Sequence, residues 1–449
     1  MENQRKFTWQ ELSRLNKRDN AHVAFCGRVY DVSGFLASHP GGSDQLMLGA
    51  GRDITQLFRS YHKPGTAKLL AEKCKYVGDL IDNEMPTFAR EEGKFYETVK
   101  KRVAGRFKSA RLDPKIDYYT FCRYGLFCVL ASLFWYLGIR YHSTWSCYVF
   151  AALYGFLSAV LTLTICHDGN HFAITHKPQV WRMLSLLGDS IHGKSSLTWT
   201  YQHCLGHHLY TNIDNSDPDT LTFNDGTDKF RIRCLQQWFP VYIYQHLYMP
   251  FLYTMFMLKM KLEDFASIFS LQVINIRINP PSFSQLLLFY TAKAIHFSVR
   301  YFIPFFLMPF STFVLLTLVS DVIHGLYFTI IIQVTHVTMA TEWPQPEKMS
   351  NMDSNWAEMQ VATTQDYATD SWIWTVLTGA ANHQVAHHLF PGVLQSYYPL
   401  IITPIVRETC AEFGLQYHHA PSIWEAIRCH FRYLRQMGSE PKKQEFHTQ

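Results

Sequence analysis

Three short segments of the chain carry histidines at the spacings that metal-binding helices use. They contain seven histidines and one glutamine: His167 and His171, then His203, His207 and His208, then Gln384, His387 and His388. Residues three or four apart share one face of a helix, so His167 and His171 are predicted to face the same way, as are His203 and His207. Neutral imidazole suits iron, copper and zinc alike. Seven imidazoles exceed what one tetrahedral zinc uses, so the sequence predicts a site for two metal ions.

A second pair of histidines lies in the polar N-terminal part of the chain. His39 begins the run His39-Pro40-Gly41-Gly42, and His62 follows 23 residues later. Two histidines on separate short helices can bind a haem iron from both faces, which leaves no open position for oxygen. Such a haem transfers electrons. A haem electron donor beside a two-metal site indicates that the metals are iron and that they react with dioxygen.

The composition divides the chain into a soluble head and a membrane body. Hydrophobic residues make up 48% and charged residues 17%, but the first part is polar and long apolar runs begin near Tyr118. We therefore predict a multi-domain protein: an N-terminal α+β haem domain followed by an all-α polytopic membrane domain with about four transmembrane helices. The predicted boundaries are 1–82 for the haem domain, 83–117 for a linker with an amphipathic segment, 118–435 for the membrane domain and 436–449 for a polar tail.

Five apolar segments are candidates for crossing the membrane: 119–140, 146–166, 238–258, 286–309 and 312–333. The histidine clusters at 167–208 and 384–388 must meet on one side, so an even number of crossings separates them. One of the three later segments therefore does not span. Lys293, His296 and Arg300 at helical spacing make 286–309 the candidate for an interfacial helix, which slightly favours 238–258 as the spanning segment.

Other features exclude several classes of protein. The first residues are polar, so no signal peptide is predicted and the haem domain is expected to stay in the cytosol. Ten cysteines are scattered without a CxxC pair, which argues against a disulfide framework or a thiolate zinc site. The net charge of +5 is small, and no nucleic-acid partner is expected.

The N-terminal part resembles cytochrome b5. The resemblance rests on Val29-Tyr30-Asp31-Val32 followed by His39-Pro40-Gly41-Gly42, with His62 at the distance seen in the desaturase-fused form, and it covers roughly residues 6–80. It implies a haem b bound by His39 and His62.

Over nearly its whole length the chain resembles the front-end fatty acid desaturases. That family carries HxxxH, HxxHH or HxxxHH, and QxxHH boxes, and this sequence matches all three. The runs HCLGHHLYTN at 203–212 and NHQVAHHLFPG at 382–392 resemble the family's second and third boxes. The resemblance implies two irons held by the three clusters, with His336 as a further ligand. His383 stands four residues before His387 and competes with Gln384, although register with the family favours Gln384.

Several polar neighbours of the boxes are candidates for orienting the imidazoles through hydrogen bonds: Asp168, Asn170, Asp217, Asp219 and His383. A helix cap or a loop contact is the alternative explanation for each carboxylate or amide.

The resemblance implies O2-dependent insertion of a cis double bond into a polyunsaturated acyl chain, measured from the carboxyl end. Electrons are expected to pass from NADH through NADH-cytochrome b5 reductase and the haem. The HxxxHH form weakly favours a Δ5-like enzyme over Δ6, Δ8 or Δ4. The acyl carrier, CoA or phospholipid, stays open, and the expected location is the endoplasmic reticulum membrane, with the haem domain and boxes facing the cytosol. The alternatives are a sphingolipid long-chain-base Δ8 desaturase and a non-catalytic membrane haem electron carrier.

Overall fold

The computed structural model of the chain describes residues 5–222, 227–345, 352 and 355–440. Residues 1–4 of the predicted haem domain and residues 441–449 of the predicted tail lie outside the described residues. The described chain forms a small α+β module followed by a larger helical body, in agreement with the predicted fold class.

The N-terminal module is a five-stranded sheet covered by short helices. Its elements are β1 (Lys6–Phe7), α1 (Trp9–Ser13), β2 (Asn16–Lys17), β3 (Asn20–Phe25), β4 (Arg28–Asp31), α2 (Ser43–Leu48), α3 (Thr55–Tyr61), α4 (Ala67–Lys73) and β5 (Lys75–Leu80). The strand order is β1-β5-β4-β3-β2, and only β1 and β5 run parallel. Val23 and Tyr30 from the sheet pack with Met47 and Ile54 from the helical side, so one apolar core holds the helices against the strands.

The described part of the body is built from helices with two small β pairs. Its elements are α5 (Lys94–Ala110), α6 (Tyr118–Arg140), α7 (Ser146–Leu161), α8 (His167–Asn170), α9 (Pro178–His192), α10 (Ser196–Thr200), α11 (His208–Tyr210), α12 (Gln245–Ser270), β6 (Gln272–Val273), β7 (Ile276–Arg277), α13 (Phe283–Phe297), α14 (Ile303–Leu307), α15 (Phe310–His336), α16 (Trp356–Ala362), β8 (Asp366–Tyr367), α17 (Trp372–Leu377), α18 (Gln384–Leu389), α19 (Thr403–Phe413), β9 (His419–Ala420) and α20 (Ile423–Gly438). Strands β6 and β7 form a hairpin, and β8 pairs with β9.

Four π-helical turns interrupt the helices of the body. They cover Thr162–Cys166, Tyr201–His207, Ser298–Phe302 and Tyr398–Ile402. Single π turns inside α-helices often lie at functional sites. Two of these four lie directly at the first and second histidine clusters.

Three helices in the described residues are long and apolar enough to cross a membrane. They are Tyr118–Arg140, Ser146–Asn170 (α7, the π turn and α8 together) and Phe310–His336. Helix α7 packs between α6 and α15. Gly155 allows the close approach of α7 and α15, because a Cβ there would collide with the backbone of Ser320. These spans agree with the first, second and fifth predicted segments.

Neither of the two remaining predicted segments belongs to these three helices, so the identity of a fourth crossing stays a prediction, and the contacts favour the broken helix from Phe283 to Leu307 over the segment 238–258 that the sequence slightly favoured. Only residues from Gln245 onward belong to the long helix α12, and that helix also carries Lys259, Lys261, Glu263 and Asp264. Its start bonds to Leu434 of α20, and the hairpin after its end bonds to the haem module. Both ends of α12 therefore lie on the side of the histidines. The stretch α13–α14 must then carry the chain to the start of α15.

Candidate metal centre

The three predicted clusters meet in one buried site together with His336 at the end of α15. Within the described residues, three groups have ligand nitrogens that all lie within 4.8 Å of one another: His167, His171, His203 and His387; His207, His336 and His388; and His208, His387 and His388. A further group joins His203 and His207 with Asp219. Histidines separated by up to about half of the chain thus converge. The grouping into more than one set fits two metal positions.

The nitrogen separations match those of ligands that share a metal ion. His207 Nε2 lies 3.3 Å from His336 Nε2, and His203 Nε2 lies 3.0 Å from His208 Nε2. Two nitrogens bound at about 2.1 Å to one metal are roughly 3 Å apart at tetrahedral or octahedral angles. Pairs of ring nitrogens that turn toward each other in a buried space therefore suit a shared cation.

Unpartnered ring nitrogens support the same conclusion. His171 Nε2 and His387 Nε2 are buried and have no hydrogen-bond partner within the described structure. The other nitrogen of each ring is engaged: His171 Nδ1 lies 2.9 Å from the Tyr61 hydroxyl, and His387 Nδ1 lies 3.4 Å from the Tyr398 hydroxyl. An unpaired buried polar atom is costly. A metal ion bound to the free nitrogens removes that cost, so the residues present fit the predicted metals.

The electrostatics of the site keep most of the imidazoles neutral. Burial lowers the pKa of His171, His203 and His208 well below the ordinary value, and burial does the same for His387 and His388. A neutral imidazole offers a lone pair to a metal. His207 differs, because burial is outweighed by the neighbouring carboxylate of Asp217, which raises its pKa.

Polar groups lie close to the Nδ1 atoms of several of the histidine rings. Both carboxylate oxygens of Asp217 lie 3.1 Å from His207 Nδ1. His388 Nδ1 lies 2.7 Å from Gln360 Oε1, and His336 Nδ1 lies 3.3 Å from the Thr363 carbonyl oxygen. A ring that donates from Nδ1 keeps Nε2 free for a metal. Gln360, Tyr398 and Tyr61 were not identified from the sequence, because no motif or spacing connects them with the boxes.

Two of the predicted orienting residues have other roles in the structure. The Asp168 carboxylate accepts hydrogen bonds from the Tyr124 hydroxyl at 2.6 Å and from Gln395 Nε2 at 2.9 Å, and so ties α6 to the body. The described contacts of Asn170 involve its backbone carbonyl, which lies 4.0 Å from Cys204 Sγ. These bonds of Asp168 do not reach a box histidine, so its orienting role stays a prediction beside the structural alternative. Asp219 lies 3.8 Å from His207 Nδ1, too far for a direct hydrogen bond.

The structure distinguishes Gln384 from His383. Gln384 Nε2 lies 3.0 Å from His336 Nε2 and 3.2 Å from His388 Nε2, inside the cluster. The two ring nitrogens of His383 instead contact the hydroxyls of Thr403, at 2.9 Å, and Thr375, at 3.3 Å. The residue that faces the histidines is Gln384, and it can present its amide oxygen after rotation of the amide.

The predicted haem ligands face each other across a gap of suitable width. The ring centres of His39 and His62 are 6.3 Å apart, and two imidazoles about 2 Å from one iron have ring centres roughly 6 Å apart. His39 Nδ1 lies 2.9 Å from the Gly42 carbonyl oxygen, and His62 Nδ1 lies 2.9 Å from that of Phe58. Burial lowers the pKa of His62 to about 4. Both rings are thus set to donate from Nδ1 and to offer Nε2 to iron.

Comparison with known proteins gives two family matches and several full-length relatives. The family profile described as "Fatty acid desaturase" matches residues 143–421, and the profile described as "Cytochrome b5-like Heme/Steroid binding domain" matches residues 8–81. The "Acyl-lipid (8-3)-desaturase" of Mortierella alpina is 40% identical over 98% of this chain and 98% of its own length. In Dictyostelium discoideum, "Acyl-lipid (8-3)-desaturase B" is 36% identical over 97% and 95%, and "Delta(5) fatty acid desaturase A" is 34% identical over 97% and 95%.

Proposed function

The chain belongs to the fatty acid desaturase family and carries a cytochrome b5-like haem domain, and from this premise we propose that it inserts a Δ5 double bond into polyunsaturated acyl chains bound in lipid. As a front-end desaturase, it is a membrane oxidoreductase that uses haem, two irons and dioxygen. The proposed position and carrier rest on the names of its relatives, three of which act on acyl lipids or at Δ5 by name. The HxxxHH form of the second box favours the same position.

We assign the iron ligands to nine side chains. They are His167, His171, His203, His207, His208, His336, Gln384, His387 and His388. The observation that carries this assignment is their convergence into groups of nitrogens at shared-ligand distances. We assign the haem ligands to His39 and His62, which face each other at the spacing that a haem iron requires.

The protein orients the metal-binding rings, excludes water from the site and supplies electrons for this reaction. When bound, the iron pair and dioxygen supply the oxidant that removes two hydrogen atoms from neighbouring methylene groups. The buried histidines hold the metals away from bulk water, and Asp217 and Gln360 fix two of the rings. Reduction of dioxygen to two waters takes four electrons; the substrate gives two, and the haem gives two in single steps.

The proposal extends to the partner and the location. An NADH-dependent cytochrome b5 reductase is the proposed source of electrons for the haem, and the endoplasmic reticulum is the proposed membrane, with haem domain and boxes facing the cytosol. The domain boundaries proposed are 1–82, 83–117, 118–435 and 436–449. The closely matching range of the haem-domain profile, residues 8–81, supports the first of them.

Expression in a yeast that makes no polyunsaturated acids tests the function. Cells are fed a panel of polyunsaturated acids of different length and unsaturation, and the new double bond is located by mass spectrometry in separated phospholipid and acyl-CoA fractions. A Δ5 product that forms first in phospholipid is the expected result. A new bond at another position would refute the Δ5 assignment, altered long-chain bases would support a sphingolipid desaturase, and no product in any fraction would support an electron carrier. His207→Ala, expected to be inactive, is the matched negative control.

A further inference from the structure

A tyrosine of the haem module reaches into the candidate iron site. Tyr61 is the last residue of α3, and the next residue in the chain is the proposed haem ligand His62. Its hydroxyl lies 2.9 Å from Nδ1 of His171. One side chain therefore connects the haem-binding segment with a proposed iron ligand.

The tyrosine is held by residues from all three histidine boxes. Its hydroxyl lies 3.6 Å from Cys204 Sγ, inside the second box, and its ring lies 6.2 Å from the ring of Phe172, next to the first box. Behind the ring lies Gly392 of the third box segment, where an added Cβ would approach Tyr61 Cδ1 to 3.1 Å. The body thus forms a socket that leaves just enough space for this ring.

The hydrogen bonds in the socket have one consistent direction. His171 Nε2 is buried without a partner and faces the metal group, so the ring proton belongs on Nδ1, which donates to the Tyr61 oxygen. The Tyr61 hydroxyl in turn donates to Cys204 Sγ. The ring orientation and tautomer of His171 therefore depend on a residue that the body does not itself contain.

Hydrogen bonds from the body also attach the haem module at a second place. Asn279, which follows β7, donates from its amide to the carbonyl oxygens of Met47 and Ala50, at 2.7 and 2.8 Å. Arg277 donates to the carbonyl oxygens of Ser13 and Gly51, at 2.8 and 3.2 Å. These bonds hold the haem module, which carries Tyr61, against the hairpin of the body.

We propose that Tyr61 is a positioning residue that orients His171 and completes the route of the electrons from the haem to the iron pair. The route follows the covalent bonds that join the adjacent residues His62 and Tyr61, and then the hydrogen bond that His171 Nδ1 donates to the Tyr61 oxygen. Each transfer oxidises the haem by one electron and reduces the iron pair by one electron, and no atom is transferred through Tyr61. The inference rests on the proposed iron and haem ligands.

The test compares Tyr61→Phe with wild-type full-length protein that carries haem and ⁵⁷Fe. Removing one hydrogen bond of ordinary strength is expected to slow haem re-oxidation by about fivefold after the reduced protein is mixed with oxygen and acyl substrate. The Mössbauer signal of one of the two irons is expected to change in the resting protein. The haem spectrum and midpoint potential are expected to stay as in the wild type, because His39 and His62 keep their contacts.

Two further variants and a control separate positioning from general damage. Gly392→Ala keeps the hydroxyl but displaces the ring, so it is expected to slow re-oxidation as well. Tyr61→Phe combined with Cys204→Ala is expected to be slower than Tyr61→Phe alone, because Cys204 Sγ lies 3.6 Å from His171 Nδ1 and can partly replace the lost acceptor. Tyr76→Phe, which removes another tyrosine hydroxyl of the haem module at a more exposed place, is expected to match the wild type.

The outcomes distinguish this inference from the function on which it rests. Wild-type protein without two non-haem irons, or without product, would refute the proposed function. The other outcome is wild-type protein that has two non-haem irons and makes product. If the Tyr61→Phe and Gly392→Ala proteins then equal this wild type in re-oxidation rate and Mössbauer signal, only the role of Tyr61 is refuted.

Discussion

Replacing Asp217 by asparagine is expected to weaken the iron site without changing the shape of the chain. The carboxylate is fully buried and accepts three hydrogen bonds with two oxygens: from His207 Nδ1 at 3.1 Å, from the Asn212 N–H at 2.8 Å and from the Asp219 N–H at 2.9 Å. Asparagine offers one acceptor oxygen, so its amide nitrogen must face at least one of these donors. The negative charge that favours the proton on His207 Nδ1 is lost as well.

The expected loss is about 10- to 100-fold in iron affinity, because a hydrogen bond to a charged group contributes about 1.5–3 kcal/mol and each 1.4 kcal/mol is tenfold. Non-haem iron per haem is measured in purified protein after dialysis against graded chelator, and product is measured in yeast. Asp370→Asn is the control, because the Asp370 side chain is exposed and lies outside every group of candidate ligands, so it should change affinity by about twofold at most. Asp217→Asn protein that retains two irons at the wild-type chelator concentration would refute the reasoning.

Three other changes test separate parts of the structure. Gln384→Ala should lower non-haem iron and product strongly while His383→Ala retains two irons per haem, since only Gln384 faces the cluster; equal loss in both would contradict the assignment. His62→Ala should abolish the haem absorbance and the NADH-driven product yet keep the non-haem iron, as measured by metal analysis, and haem-replete His62→Ala protein would exclude this ligand. Asn279→Ala removes two hydrogen bonds to the haem module and should weaken its attachment to the body. Amide hydrogen exchange in α2 should become faster and haem re-oxidation slower. Unchanged exchange would show that the other contacts are enough to hold the module in place.

The arrangement of ligands within a box could be predicted from the sequence, because the spacing of the histidines determines which of them share a helix face. Helical periodicity places His167 and His171 on one face, and both belong to one group in the structure. The same periodicity explains the contacts of Asp168. Adjacent residues of a helix point about 100° apart, so the carboxylate beside His167 turns away from the metals, toward Tyr124 and Gln395.

Long-range partners could not be predicted, because nothing in their local sequence indicates them. Gln360 lies on a short helix without any box, yet it contacts His388. The position of the haem module depends on Arg277 and Asn279, two polar residues in and after an ordinary hairpin. The sequence only slightly favoured 238–258 as the fourth crossing, because a buried lysine and arginine interrupt the apolar pattern of α13 and α14.

The second box shows how backbone geometry decides which histidines lie close together. In an α-helix His203 would pair with His207, four residues on, and His208 would point about 140° away from His203. The π turn from Tyr201 to His207 widens the helix so that residues five apart come together, and His203 Nε2 indeed lies 3.0 Å from His208 Nε2. His207 stays beside His203, in a group with Asp219, and also lies 3.3 Å from His336 between their Nε2 atoms. The π turn thus lets His203 contact both His207 and His208, so one short helical segment contributes ligands to several of the groups.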